Sequence, residues 1–467
     1  MNVDSGAAAA LGAFAVDAGV PDDARRNARA AWLDTIGVIV AGSVEPPARI
    51  VQRVCAAEGE GRCRVLGTPM VAATAGAALA NGTAGHALDY DDMCFVSMAH
   101  PSAPLVAAGL AAGELVGSSG RELLEAYVVG FEIECVLGRA MNPSHYARGW
   151  HCTSTLGSVG AAAAVSRLLR LERSRAAHAL SIAASEASGL KENFGSMVKP
   201  LHAGLSARNG VLAALLAADG FTASGAAIDG AQGFVAVFSN GSRDLAASLV
   251  GLGSRWEILE SGVTVKLYPS CAATHPTIDA LLDLRRRHGF TGEDVEAIEV
   301  TVDAVTPTVL IYPEPRTGLE AKFSMPFCAA AAAALGEVGI GTFDAEHVAD
   351  PIVRRLASRV TVRVDEELGR HAPPLTQAHV AMRLSDGRRL TARADGARGY
   401  PARPASRADL NAKFRACASR ALQGVDIEYA LEALHRFEEL PDIRLLTGRM
   451  AGQREPSAPD TTALNAG

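Results

Sequence analysis

The sequence predicts a mainly α protein with a second α+β domain: a large all-helical domain, completed by C-terminal helices, beside a smaller mixed one. Three observations lead there. Apolar residues recur at helical spacing along most of the first 262 positions. The period changes to alternation near residue 290, and helical spacing returns after Pro404. Spacing near 3.6 marks helices with one apolar face, and a period of two marks strands.

Within 1–262, Ala24–Ala41 carries Ala28, Ala31, Trp32, Ile36, Ile39 and Val40 at helical spacing. Val71–Leu88, Pro104–Val116, Gly120–Leu137, Leu156–Leu169, Ser174–Ala187 and Ser206–Ala218 read the same way. Ala and Gly fill many of these positions, which suits closely approaching helices in a buried bundle. Within 265–400, Ile298, Val300 and Val302 alternate with polar residues, as do Val360, Val362 and Val364. Val380, Met382 and Leu384 lead into Asp386-Gly387, and Leu390, Ala392 and Ala394 follow, the pattern of a β-hairpin. Helices are expected between strands at 274–288, 322–336 and 344–358. Pro401 and Pro404 close this domain, because proline disfavours helix in the residue before it. Ala408–Leu422 and Ile427–Arg436 then complete the first domain, over about 405–445, and the polar tail 453–467 is expected to be disordered.

Composition narrows the function. With 44 Lys+Arg against 51 Asp+Glu the net charge is -7, which argues against a nucleic-acid partner but leaves room for a local cationic pocket. No apolar run reaches the ~18 residues of a membrane span. No basic segment precedes an apolar one at the start, and the eight cysteines form no CxxC pair. A cytoplasmic protein with reduced thiols is expected. Phosphate-loop, nucleophile-elbow and dinucleotide fingerprints are all missing.

Four segments carry chemistry. His86-Ala-Leu-Asp89-Tyr-Asp91-Asp92 puts a His and three carboxylates at the end of an apolar stretch, with His100-Pro-Ser102 shortly after. Carboxylates so placed must be paired, exposed or used; the plainer alternative is a solvated helix end with Asp91 as its cap. Arg148-Gly-Trp-His151, followed by Cys152-Thr-Ser-Thr155, suits either an anion at a helix start or an ordinary N-cap. In Lys199-Pro-Leu-His202-Ala-Gly204 the lysine is either at the surface or held toward a pocket. Lys266-Leu-Tyr-Pro-Ser-Cys271 through His275 lies at the domain junction. Cys271 and His275 could share a helix face, but no further ligands complete a metal set, so no metal and no cofactor are expected.

These segments, with Trp32-Leu-Asp-Thr-Ile-Gly37, Ala321-Lys-Phe-Ser324 and Lys413-Phe414, resemble the MmgE/PrpD family over about residues 20–445. That family contains 2-methylcitrate dehydratases, cis-aconitate decarboxylases and an iminodisuccinate epimerase. The resemblance implies a two-domain fold with its pocket between the domains, a homodimer, and no required cofactor. By motif match Asp89, His100, His151, Lys199 and Lys266 fall on positions that decarboxylase members use. Arg148, His202, Cys271, His275 and Tyr312 are the substrate-binding candidates. Met93 stands where the decarboxylase has a Thr, Cys271 where it has a pocket His, and the segment from Asp92 to His100 is one residue longer.

A non-catalytic homologue that only binds a carboxylate or a partner aside, the expected activity is a lyase acting on a small anionic polycarboxylate, with β-elimination of water or a comparable leaving group first and epimerisation or decarboxylation as rivals. All three leave negative charge on a carbon beside a carboxylate. Lysines and Arg148 could hold substrate carboxylates and spread that charge, while His100, His151 or Asp89 move protons.

Overall fold

The computed structural model describes residues 6–239, 244–368 and 376–452. The expected tail 453–467 lies outside them. Two buried cores divide the chain. The first draws on residues from Ala7 to Ile258 and again from Phe414 to Met450. The second runs from Tyr268 to Ala394. The mainly α architecture with an α+β part is thus the one observed.

In the first part, helix Asp22–Gly42 is buried along most of its length and receives the returning chain. Phe414 of helix Arg407–Ala418 lies over Gly37, where an added Cβ would stand 3.0 Å from the Phe414 ring. The Trp32 and Phe437 rings meet at 5.0 Å between centroids. Helix Gly120–Met141 starts on a capping box, with Ser119 and Glu122 each satisfying the other's backbone N–H. Helices Ala7–Asp17 and Pro46–Ala57 are additional to those read from the sequence. The first is apolar nearly all round, so it shows no period. The second begins with two prolines, which a first helical turn accepts.

The helix expected at Val71–Leu88 begins instead at Thr74, because Val71–Ala72 pairs with Cys63–Arg64. The one expected from Ser206 begins at Val198. Pro200 sits in its first turn, where no N–H is needed. This places Lys199 and His202 on the helix. Helices Thr74–Ala87 and Val198–Ala218 then approach through glycines. A Cβ on Gly82 would lie 2.8 Å from Gly204 Cα, and one on Gly204 2.4 Å from the Leu79 carbonyl.

In the second part, strand Val295–Val302 lies between Val360–Val364, parallel to it, and Ala378–Leu384, antiparallel. The last pairs with Arg389–Ala394 across the expected turn, where Gly387 has φ 85°. Ile298, Val300 and Val302 are buried, but Val362 and Val364 on the edge strand are exposed. The helix expected at 344–358 is two short ones, Ala345–Val348 and Pro351–Ala357. Asp350 restarts the second by accepting from the N–H groups of Ile352 and Val353. The helix expected at 322–336 runs from Met325 to Leu335, leaving Lys322 in the turn before it. No helix among the described residues is long and apolar enough to cross a membrane.

Candidate active site

Helix Thr74–Ala87 ends at Leu88, and Asp89 takes the left-handed conformation, φ 50°, which is uncommon for any residue but glycine. That turn presents its carboxylate to two buried lysines. Lys199 Nζ donates to Asp89 Oδ1 at 2.5 Å, and Lys266 Nζ donates to Oδ2 at 3.0 Å. Lys266 also donates to the Asp89 carbonyl at 3.0 Å. Burial alone would raise the Asp89 carboxyl, but the two ammonium groups hold it well below the usual carboxylate range.

Lys199 Nζ reaches a third group, His86 Nε2, at 2.8 Å. An ammonium can only donate, so Nε2 accepts and the ring proton sits on Nδ1, 2.8 Å from Asp91 Oδ2. The remaining carboxylate of this segment, Asp92, accepts from the Ser102 hydroxyl and backbone N–H. Asp91 is therefore no helix cap: all three carboxylates are buried and paired.

Beside the ion cluster opens a cavity of about 400 Å³, lined at this end by Asp89, His100, His151 and Lys199. His100 follows a short loop and is fixed by its backbone N–H, which donates to Thr153 Oγ1 at 3.0 Å. His100 Nδ1 lies 3.5 Å from Asp91 Oδ2 and makes no hydrogen bond. His151 precedes helix Cys152–Leu168, and its Nδ1 is 3.0 Å from His202 Nδ1. Its Nε2 is buried without a partner. Burial, then the nearby lysines, hold both imidazoles well below the usual histidine range. Both are neutral near pH 7, each with one ring nitrogen uncommitted.

The other sequence candidates divide. Cys271 lines the cavity, and burial pushes its thiol up. Lys266 is fully buried and acts on Asp89 from behind, away from the lining. His202 backs His151 and is lowered to about 4 by burial. Beyond Lys266 and His202, three more candidates do not line the cavity. His275 is buried, with Nε2 donating to the Ser270 carbonyl at 3.1 Å, and is lowered to about 3 by burial. Tyr312 donates to the Phe194 carbonyl at 2.8 Å, so it holds the wall from outside. Arg148 is exposed after the short helix Ser144–Ala147.

His86 was in the motif but not among the candidates, since only the helix-end geometry shows that it joins Asp91 to Lys199. Lys322 and Lys413 are two further buried lysines of the site's frame. Lys322 donates to the carbonyls of Leu88 and Pro269 at 2.7 and 2.9 Å. Lys413 donates to those of Tyr90 and Lys266 at 2.7 and 2.8 Å and pairs with Asp34.

His86, Asp89, Asp91 and His100 bring possible metal-ligating atoms within 4.8 Å of one another. Two of these, His86 and Asp89, already bond the Lys199 ammonium. A cation is thus built into the cluster as a side chain, and a divalent ion would have to displace it against like-charge repulsion.

Comparison with known proteins gives the family. The model of the MmgE/PrpD N-terminal domain matches residues 13–245, and that of the C-terminal domain matches 268–435. The chain belongs to the MmgE/PrpD family. The cis-aconitate decarboxylase of Mus musculus is 31% identical over 402 residues, covering 82% of this chain and 79% of the relative. That of Homo sapiens is 29% identical over 399 residues, covering 83% and 81%. The cis-aconitate decarboxylase-like protein oryM of Aspergillus oryzae is 26% identical over 458 residues, covering 93% and 94%. The expectation of a lyase of the MmgE/PrpD family agrees with these relatives. The second family match runs on to residue 435, past the α+β core and into the helices that return to the first.

Proposed function

We propose that this MmgE/PrpD protein is a lyase, independent of metal and cofactor, that cleaves a bond at a carbon beside a carboxylate of a small polycarboxylate. The observation that carries the reading is the pair of neutral imidazoles, His100 and His151, each with a free ring nitrogen, on one cavity wall with Lys199. A substrate carboxylate would pair with Lys199, and its charge would raise the imidazole pKa values toward the working range. Bond cleavage leaves an electron pair on the adjacent carbon, spread onto the carboxylate oxygens and stabilised by Lys199. A protonated His100 or His151 returns a proton to that carbon. The relatives' names favour CO₂ over water as the leaving group. Lys266 acts as the fixed counter-charge that keeps Asp89 ionised and in place.

The domain division at 1–262 with 405–445 against 265–400 belongs to this proposal, and the split between the two buried cores supports it. A cytoplasmic homodimer is part of it as well, with light scattering as the test of the dimer.

The deciding experiment incubates the protein with di- and tricarboxylates in D₂O and follows them by proton NMR. Loss of CO₂ with one deuterium at the former attachment carbon is the expected result, unchanged after exhaustive chelation. Exchange with inversion and no leaving group would make the protein an epimerase. Folded protein that neither converts nor exchanges any acid in the panel would overturn the reading.

A further inference from the structure

We infer that His202 is a positioning residue: its Nδ1 accepts the Nδ1 proton of His151 and so leaves Nε2 of His151 as a bare electron pair for the substrate side. The inference rests on the lyase reading above and names His151 as the imidazole that hands a proton to the substrate carbon. Of the two cavity imidazoles, His151 has its second nitrogen hydrogen-bonded, 3.0 Å from His202 Nδ1, whereas His100 Nδ1 makes no hydrogen bond.

The packing holds the pair in place. His202 stands three residues after Lys199, one turn further along helix Val198–Ala218. The ring centroids of His151 and His202 are 5.2 Å apart, with the planes at 53°. The His151 N–H donates to the Gly189 carbonyl at 3.0 Å, and the Ser154 hydroxyl, three residues on, donates to the His202 carbonyl at 3.3 Å. His151 lines the cavity and His202 does not. His151 Nε2 is buried with no hydrogen-bond partner, so it is a polar atom that a substrate can satisfy.

Both rings are neutral near pH 7, held down by burial. Lys199, His86 and Asp89 also act on His151, and His86 and Lys199 on His202. Two neutral imidazoles whose Nδ1 atoms meet at 3.0 Å hold one proton between them, because two bare nitrogens or two N–H groups would repel. The tautomers are therefore coupled. With the shared proton on His202, His151 would carry its own on Nε2, and its one bare nitrogen would face His202, closed to any proton from the cavity. With the shared proton on His151, the cycle closes on itself. Nε2 takes one proton from solvent, and the imidazolium keeps its Nδ1–H on His202, a neutral acceptor that stabilises it. The bond to CO₂ breaks and leaves its electron pair on the carbon, which takes the Nε2 proton. His151 returns to the tautomer in which it began, with one solvent proton consumed.

The test labels the histidine rings of the full chain with nitrogen-15 and distinguishes bare from protonated nitrogens by NMR at about pH 8. His151 is assigned by its absence from His151→Gln. Its Nδ1 should be protonated and its Nε2 bare. His202→Asn, whose side-chain carbonyl takes the place of Nδ1, should keep that pattern, and His202→Leu should lose it. Kinetics use cis-aconitate or, where wild type leaves it unchanged, the acid of the panel above converted fastest. His202→Leu should lower kcat by about tenfold to a hundredfold with KM within about twofold, and His202→Asn should recover most of the loss. The alkaline limb of kcat should move down by about one pH unit or more in His202→Leu, because the imidazolium has lost its acceptor. Circular dichroism confirms the fold of the variants, and the wild-type spectrum stands without them. A protonated Nε2 on His151 in wild type, or a folded His202→Leu with the wild-type kcat and limb, overturns the positioning role and spares the lyase reading. Wild type that converts no acid of the panel overturns the lyase reading, and the proton transfer with it, whatever the tautomer.

Discussion

The ammonium of Lys322, in the α+β domain, donates to the carbonyl of Leu88, in the helical domain, at 2.7 Å. Lys413 does the same to Tyr90 at 2.7 Å. The residue between them is Asp89, held at φ 50°. Two buried lysines thus clamp the peptide on either side of the carboxylate that orders the site. Lys322→Met should strand the Leu88 and Pro269 carbonyls, at about 1–3 kcal/mol each. Turnover should fall at least about tenfold although no cavity residue has changed, because Asp89 can then leave its uncommon conformation. Steady-state kinetics beside thermal unfolding would show both effects.

Asp89 and the two imidazoles should separate stability from catalysis. Asp89→Ala leaves Lys199 and Lys266, with side chains 5% and 0% exposed, facing each other without a counter-charge. The expected loss is about 3–5 kcal/mol. His100→Gln and His151→Gln remove no buried charge. They should lower kcat by about 10²–10⁴-fold and shift the unfolding midpoint little. Equal destabilisation by all three would count against the division of roles.

His145 should make the fold acid-sensitive. It lies 2.9 Å from the Phe238 carbonyl and 2.7 Å from the Thr155 hydroxyl, and burial lowers it from 6.5 to about 4. The unfolded chain binds a proton near pH 6.5 and the folded one does not until about 4, so this group makes stability fall as pH falls through that window. One pH unit there is worth about 1.4 kcal/mol. Between pH 6.5 and 5, wild type should lose about 2 kcal/mol more than His145→Gln. Urea midpoints of both proteins at each pH would measure the narrowing gap.

Gly204 should tolerate no side chain. An added Cβ meets the Leu79 carbonyl at 2.4 Å, and backbone cannot swing aside as a flexible side chain would. Gly204→Val should cost about 1–3 kcal/mol. It should also depress activity, because the helix that moves carries Lys199 and His202. Gly387→Asn offers a contrast: its φ of 85° suits asparagine nearly as well, it lies in a turn with open space around it, and activity should not change.

What was legible in the sequence follows from where each signal is local. The strands around Val300 and Met382 declare themselves because a period of two survives in any context, and the Asp386-Gly387 turn needs no partner to be read. Helix starts were harder. The helix read from Ser206 starts at Val198, where Pro200 fits the first turn and Gly204 packs on Gly82. Asp89, His100, His151 and Lys199 share one cavity although each has an ordinary surface or capping reading alone; it was the motif match across the chain that singled them out. His86, Lys322 and Lys413 carried no local sign of their roles. Their partners are a carboxylate across a helix end and carbonyl oxygens far along the chain, and a carbonyl leaves no mark in a sequence. Arg148 had the right charge and neighbourhood, yet the chain turns it outward before His151.

The contact of Gly82 with Gly204 has a consequence for how such a protein can change over generations. Helices whose backbones touch leave no slack, so a larger residue at the seam moves His86, Lys199 and His202 together. Residues of the cavity wall such as Phe95 and Val305 stand on loops, and exchanging them displaces no helix. What the protein accepts can therefore be altered at those loops without moving the proton-handling end.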